Sequence, residues 1–210
     1  MIRVLLADDH VLVREGLKRL LGGSPDVEVV AEAATGDEVL PLAREHTVDV
    51  LVLDVSMPGV GFLEVLRQLR EQHPRIKVVV LSGHPEDEYA ERALKAGATG
   101  YVTKERTPNE LLEAIRRSAQ GLRYVSESLA QHLVARLSGD QERPAHQALS
   151  DREFEVLQLL GRGKSIKEIG AVLALSPKTV STYRERILQK LDLKTTADLI
   201  RYAVQQGLTD

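Results

Sequence analysis

Val50-Leu51-Val52-Leu53-Asp54 runs straight into Val55-Ser56-Met57-Pro58-Gly59. Four valines and leucines, then an acid, then a proline-glycine turn describe a parallel strand buried on both faces. Such a strand carries a continuous apolar run rather than an alternation. In open α/β sheets, ligands collect at the carboxyl ends of the strands. Asp54 therefore stands where chemistry is expected, and the flanking sequence should supply groups that converge on it.

Upstream, Ile2-Arg3-Val4-Leu5-Leu6-Ala7 reads as a first strand ending in Asp8-Asp9, and Val27 to Ala33 as a second. Downstream, Lys77 to Ser82 and Gly100 to Thr103 read as the fourth and fifth, the latter ending in Lys104. Helical patterns fill the gaps: Val11 to Leu21, stopped by Gly22-Gly23; Asp37 to His46, with Pro41 near its start; Phe62 to Gln72; Glu86 to Ala96, stopped by Gly97. A fifth helix opens at Thr107-Pro108-Asn109-Glu110 and runs to about Ala119; an N-cap threonine, a proline at the first position and a glutamate two residues later suit a helix start. Strand and helix alternate five times, which predicts a doubly wound five-stranded parallel sheet of the flavodoxin-like kind over residues 1–120.

Residues 121–147 read as a partly helical linker, with helix over Glu127 to Leu137 and a polar stretch from Ser138 to Pro144. From 148 to 210 the signal is helical throughout. Ser150-Asp151-Arg152-Glu153 and Ser165-Ile166-Lys167-Glu168 are capping boxes, Ser176-Pro177 starts a third helix, and Thr195 to Asp198 caps a fourth. The fold class expected is thus α/β followed by a small all-α domain of four helices.

Composition narrows the function classes. Of 210 residues, 43% are hydrophobic and 28% charged, and there is no apolar run of membrane-spanning length. The start, Met1-Ile2-Arg3-Val4, lacks a signal-peptide pattern, so a cytoplasmic address and no membrane partner are expected. Without cysteine there is neither a disulfide framework nor a zinc-thiolate site. The net charge of −3 is unevenly spread: residues 149–210 hold 10 basic against 8 acidic side chains, whereas residues 1–148 hold 18 against 23.

If the first and third strands are neighbours, Asp8, Asp9 and Asp54 crowd one pocket. Like charges at that spacing resist ionisation unless a cation joins them. Oxygen-only ligands point to Mg²⁺. Ser82 and Lys104, at the ends of the next two strands, reach the same rim. A carboxylate nucleophile, a divalent cation, a hydroxyl and an ammonium are what acceptance of a phosphoryl group requires. Taken singly, a strand-end aspartate is an ordinary turn former and a lysine after a strand is ordinarily solvated. Their succession at consecutive strand ends is the signal.

Asp8-Asp9, Asp54 with Met57-Pro58, Ser82 and Lys104 resemble the signature of bacterial response-regulator receiver domains. The resemblance implies that Asp54 is phosphorylated by a histidine kinase. It further implies that Asp9 and Asp54 ligate Mg²⁺ directly, Asp8 through water, and the backbone carbonyl of Ser56 as a further ligand. Ser82 would hydrogen-bond the phosphoryl group, Lys104 would pair with it, and Tyr101 would be the aromatic that swings inward on activation. One departure stands out: Pro58 is followed by Gly59-Val60-Gly61-Phe62, so the loop is one residue short and lacks the acid that the family usually carries there.

In the tail, Ser165 to Leu191 reads as helix, turn, helix. Ile166, Ile169, Val172 and Leu173 face inward from the first helix, and Val180, Ile187, Leu188 and Leu191 from the second. Lys178, Thr179, Ser181, Thr182, Arg184, Glu185 and Arg186 are left outward, short polar side chains flanked by bases, as suits a major groove. The segments 149–157, 167–170, 175–180 and 188–191 resemble the LuxR-type helix-turn-helix of NarL/FixJ response regulators. That resemblance implies base reading by Ser181, Thr182 and Glu185 and backbone contacts by Lys178, Thr179, Tyr183, Arg184 and Arg186. It also implies promoter DNA as partner, RNA polymerase as a further one, and a homodimer on activation through the last helix. Glu185, an acid where a base is often found, should alter the sequence read.

The expectation is therefore a transcription regulator and not an enzyme. Two rivals stay open: a receiver that switches without phosphate or acts through protein contacts, and a Mg²⁺-dependent phosphohydrolase with Asp54 as nucleophile.

Overall fold

A computed structural model describes residues 1–83, 86–105, 108–137 and 144–209. The chain divides into two compact units at 138/139.

In the first unit the order is β1 (Ile2–Ala7), α1 (Val11–Gly22), β2 (Val27–Ala33), α2 (Gly36–Glu45), β3 (Val50–Asp54), α3 (Phe62–Gln72), β4 (Lys77–Ser82), α4 (Glu86–Ala96), β5 (Gly100–Thr103), α5 (Pro108–Ala119) and α6 (Glu127–Leu137). The strands form one parallel sheet in the order β2-β1-β3-β4-β5. All five residues of β3 are buried, as its unbroken apolar run requires. At about 1.5–3 kcal/mol for each fully buried Val or Leu, this central strand is a main source of the unit's stability. Val4, Leu6, Val52, Val79, Leu81 and Val102 make one face of the core, against which Leu111 and Ile115 of α5 pack. β1 pairs with both β2 and β3, so Asp8 follows the strand beside the one that ends in Asp54.

Three local differences from expectation have physical causes. Pro41 lies inside α2, not near its start; the ring removes one backbone donor from the middle of the helix. The helical half of the stretch read as linker, α6, packs on α4 within the first unit. Tyr124, ahead of it, pairs with Gly100 along the edge of β5, its amide donating to Thr99 O at 2.9 Å and its carbonyl accepting from Tyr101 N at 3.3 Å. The short loop after β3 is pressed on the start of α2: a Cβ at Gly36 would stand 1.9 Å from Val60 O, and one at Gly59, which has φ +87°, 1.9 Å from Asp37 Oδ2. The expected N-cap Thr107 and the polar stretch at 138–143 lie outside the described residues.

The second unit holds a 3-10 turn (Ala145–Ala148) and four helices, α7 (Asp151–Gly161), α8 (Ile166–Val172), α9 (Pro177–Lys190) and α10 (Thr196–Gln205). The capping boxes at Ser150, Ser165 and Thr195 are all formed. α8 ends at Val172, and Ala174 takes φ +53° and turns the chain. α7 crosses α10 closely at Gly161, where a Cβ would stand 2.8 Å from Ala203 Cβ. His146 is buried against Phe154 and hydrogen-bonded through Nδ1 to Tyr202 Oη at 3.0 Å.

Candidate functional site

The parallel sheet sets the first site. Asp8 follows β1, Asp54 ends β3, Ser82 ends β4 and Lys104 follows β5, so all four emerge along one edge of the sheet. Asp8 and Asp54 are each 1% exposed, and Lys104 Nζ reaches both, at 2.8 Å from Asp8 Oδ2 and 3.1 Å from Asp54 Oδ2. The lysine is aimed by its backbone, whose amide donates to the carbonyl of Ser82 at 2.7 Å. Asp8 is held from behind: its Oδ1 accepts from the amide of His10 at 2.8 Å, and its carbonyl accepts from Arg14 at 2.6 Å.

Charge in the pocket is unbalanced. Burial pushes the Asp54 carboxyl above its ordinary value; the Lys104 ammonium pulls it back and the Asp8 charge adds to the push. Lys104 is also raised: burial works against its charge, and the hydrogen bond to Asp8 with the charges of Asp54 and Asp8 outweighs burial. The Ser56 amide, hydrogen-bonded to Asp54, pulls its carboxyl back as well. Two buried acids and the partly exposed Asp9 face one ammonium, so the pocket suits a divalent cation. One ligand atom each from Asp8, Asp9, His10 and Asp54 lies within 4.8 Å of the others. His10 is the member that sequence reasoning missed, since a histidine after two acids and before a helix looks like a simple N-cap.

The other expected residues are less converged. Ser82 is fully buried at the end of β4, and Ser56 is half-buried two residues past Asp54. Tyr101 is fully buried on β5, in register with Val80. Its ring stands inside the unit in this structure.

The second site is α9. Ser176 Oγ accepts from the amide of Thr179 at 3.1 Å, and Pro177 fills the first position, which fixes where the helix begins. Gly170 lets α8 approach the turn, where a Cβ would stand 2.7 Å from Leu175 O. Val180 and Ile187 are buried, Leu191 nearly so, and Leu188 half-buried, so one face packs inward. On the rest of the helix Lys178, Thr182, Glu185 and Arg186 are exposed, while Thr179, Ser181, Tyr183 and Arg184 are half-buried. Arg184 and Glu185 approach to 3.9 Å. This is a helix-turn-helix whose second helix carries a polar face opposite its packed one.

Residues 4–116 match the response regulator receiver domain, and residues 147–203 match the bacterial regulatory proteins of the luxR family. Response regulator GacA of Pseudomonas protegens is 42% identical over 210 residues, covering 100% of this chain and 99% of the relative. The chain belongs to the two-component response regulators. Response regulator UvrY of Escherichia coli is 36% identical over 209 residues, covering 99% of this chain and 96% of the relative. RcsB of Salmonella enterica serovar Typhimurium, solved bound to the promoter rprA with a phosphomimetic, superposes with a TM-score of 0.76 at 25% identity, covering 96% of this chain and 97% of that one. This response regulator is a transcription regulator with a LuxR-type DNA-binding output domain. Among its described residues no helix is long and apolar enough to cross a membrane.

Proposed function

We infer that this response regulator accepts a phosphoryl group on Asp54 from a histidine kinase and binds promoter DNA through α9 as a homodimer. The observation that carries the reading is the pairing of one half-buried lysine with two buried acids, Asp8 and Asp54, which must share it. Asp54 attacks the phosphorus, an O–P bond forms, and the bond to the donor histidine breaks. Asp9 and Asp54, with the Ser56 carbonyl, would hold Mg²⁺, which supplies positive charge to the phosphoryl oxygens. Lys104, placed between Asp8 and Asp54, is near enough to move its ammonium onto a phosphoryl oxygen. Ser82 would donate its hydroxyl to another. Tyr101, buried on β5, would be the aromatic that takes an inward position on activation.

On DNA, Lys178, Thr179, Tyr183, Arg184 and Arg186 would contact the backbone, and Ser181, Thr182 and Glu185 the bases. RNA polymerase is the partner through which bound protein would act, and the cytoplasm is where it would act.

Promoter fragments selected from genomic DNA by the full-length protein test the reading. Acetyl phosphate with Mg²⁺ should tighten binding by about tenfold or more in the wild type and leave Asp54→Ala unchanged. Equal tightening in both would remove Asp54 from the switch, and no loss of binding in Lys178→Ala with Arg186→Ala would remove α9 from the DNA.

A further inference from the structure

We propose that Gly36 is a positioning residue for the chemistry at Asp54. Its bare α carbon lets the shortened loop after β3 seat on the start of α2, and the seated loop shields an acyl phosphate on Asp54 from water. This rests on Asp54 being the phosphoacceptor, and adds the residue that sets how long the phosphoryl group stays there.

The loop is tied to Asp54 at one point and to α2 at the next. The amide of Val55 donates to the carbonyl of Leu81 at 3.3 Å, and the Ser56 amide hydrogen-bonds the Asp54 carboxyl. Val55 and Met57 are buried, which anchors the loop on either side of Ser56. The carbonyl of Pro58 then accepts from the amide of Gly36 at 2.9 Å. Gly36 opens α2, whose cap residue Thr35 makes no side-chain capping bond, so the loop satisfies one of the donors at the helix start. Here the two backbones touch. A Cβ on Gly36 would stand 1.9 Å from Val60 O, 2.9 Å from Val60 C and 3.2 Å from Val60 N. All three are backbone atoms, so no change of rotamer makes room and the loop itself has to lift. At Gly59 the atom met is the end of the Asp37 side chain, which can turn away, so the contact at Gly36 is the firmer one. Gly36 lies in α2 and its φ is not positive, so close approach is what demands glycine there.

Only Met57 separates the residue bonded to Asp54 from the residue bonded to Gly36. A displacement at Gly36 is therefore passed on to the Ser56 amide through two anchored peptide units. Loss of an acyl phosphate needs water in line with the bond that breaks. Water attacks phosphorus, the bond from the Asp54 oxygen to phosphorus breaks, the carboxylate is restored, and the water's protons leave with inorganic phosphate and solvent. Asp54 is only 1% exposed, so that water must pass the groups around it, and a lifted loop opens the way.

The full-length protein is phosphorylated with acetyl phosphate and Mg²⁺, freed of the donor and followed by intact mass. Gly36→Ala should shorten the half-life of the adduct by about fivefold or more, and Gly22→Ala, where a Cβ meets nothing within 4 Å, should leave it unchanged. In the unphosphorylated protein, hydrogen exchange at the Ser56 amide should speed by about tenfold in Gly36→Ala, with Leu51 and Val52 of β3 unchanged. If Gly36→Ala does not fold, one alanine inserted between Val60 and Gly61 gives the loop room. That insertion should restore folding and bring the half-life within about twofold of the same insertion alone. An unchanged half-life, exchange that rises equally along β3, or an insertion that rescues nothing overturns the proposal. No adduct on the wild type overturns the phosphoacceptor reading itself, and the proposal with it.

Discussion

Each unit of the chain buries an acid beside a lysine, and the two pairs behave in opposite ways. In the second unit, Glu153 has Lys190 at 2.7 Å and the amide of Ser150 at 2.7 Å, so one acid has a backbone donor and an ammonium that it shares only with the carbonyl of Ala148 among the described contacts. Burial works against its charge, yet Lys190 and the Ser150 amide outweigh it, and Glu153 sits below the ordinary carboxylate range. In the first unit, Asp54 must share Lys104 with Asp8, and it sits above that range. A satisfied acid is architecture: it caps α7 and ties it to α9. An under-satisfied acid stores unfavourable charge that an incoming cation or phosphoryl transfer can relieve. The same residue types thus become structural or reactive according to how many donors each acid commands.

The sharpest way to break this comparison is to remove the shared lysine. Lys104→Ala leaves two buried carboxylates uncompensated and should cost the first unit about 3–5 kcal/mol without divalent ions, read by urea unfolding. Millimolar Mg²⁺ should recover part of that loss. Glu153→Ala removes a capping-box partner and should cost the second unit a smaller ~1–2 kcal/mol, with no response to Mg²⁺. Asp54→Asn should go the other way and stabilise the first unit by roughly 1 kcal/mol at neutral pH. The sign follows from linkage. An acid raised on folding holds its proton longer in the native state, so its contribution to stability falls as pH rises from its unfolded value through its folded one. Asp54→Asn should flatten that fall. Glu153, lowered on folding, contributes stability above its unfolded value that is lost as pH drops through its folded one, so Glu153→Gln should flatten an acid-side slope instead. The smallest effect on stability belongs to the exposed bases of α9. Lys178→Ala and Arg186→Ala should leave unfolding almost unchanged, yet each should lower the slope of log affinity for DNA against log salt by about 1.

Much of this was legible in the sequence where local rules act. Asp8, Asp54, Ser82 and Lys104 could be placed because unbroken apolar runs mark buried parallel strands, and their carboxyl ends share an edge. The caps at Ser150, Ser165, Ser176 and Thr195 announced helix starts because their partners lie three residues on. What escaped was non-local or conformational. His10 joins the carboxylates through a side-chain direction that no spacing reveals. Gly36 meets Val60 across 24 residues, and His146 meets Tyr202 across 56. The helix α6 looked like linker because its register on α4 is set by tertiary packing.

The central claim is that Asp54 is the under-satisfied acid that takes the phosphoryl group, despite the shortened Gly59-Val60-Gly61 loop. Intact mass after incubation with acetyl phosphate and Mg²⁺, wild type beside Asp54→Ala, tests it most directly. One phosphoryl adduct on the wild type and none on the variant is the predicted result. No adduct on either, or the same adduct on both, would contradict it.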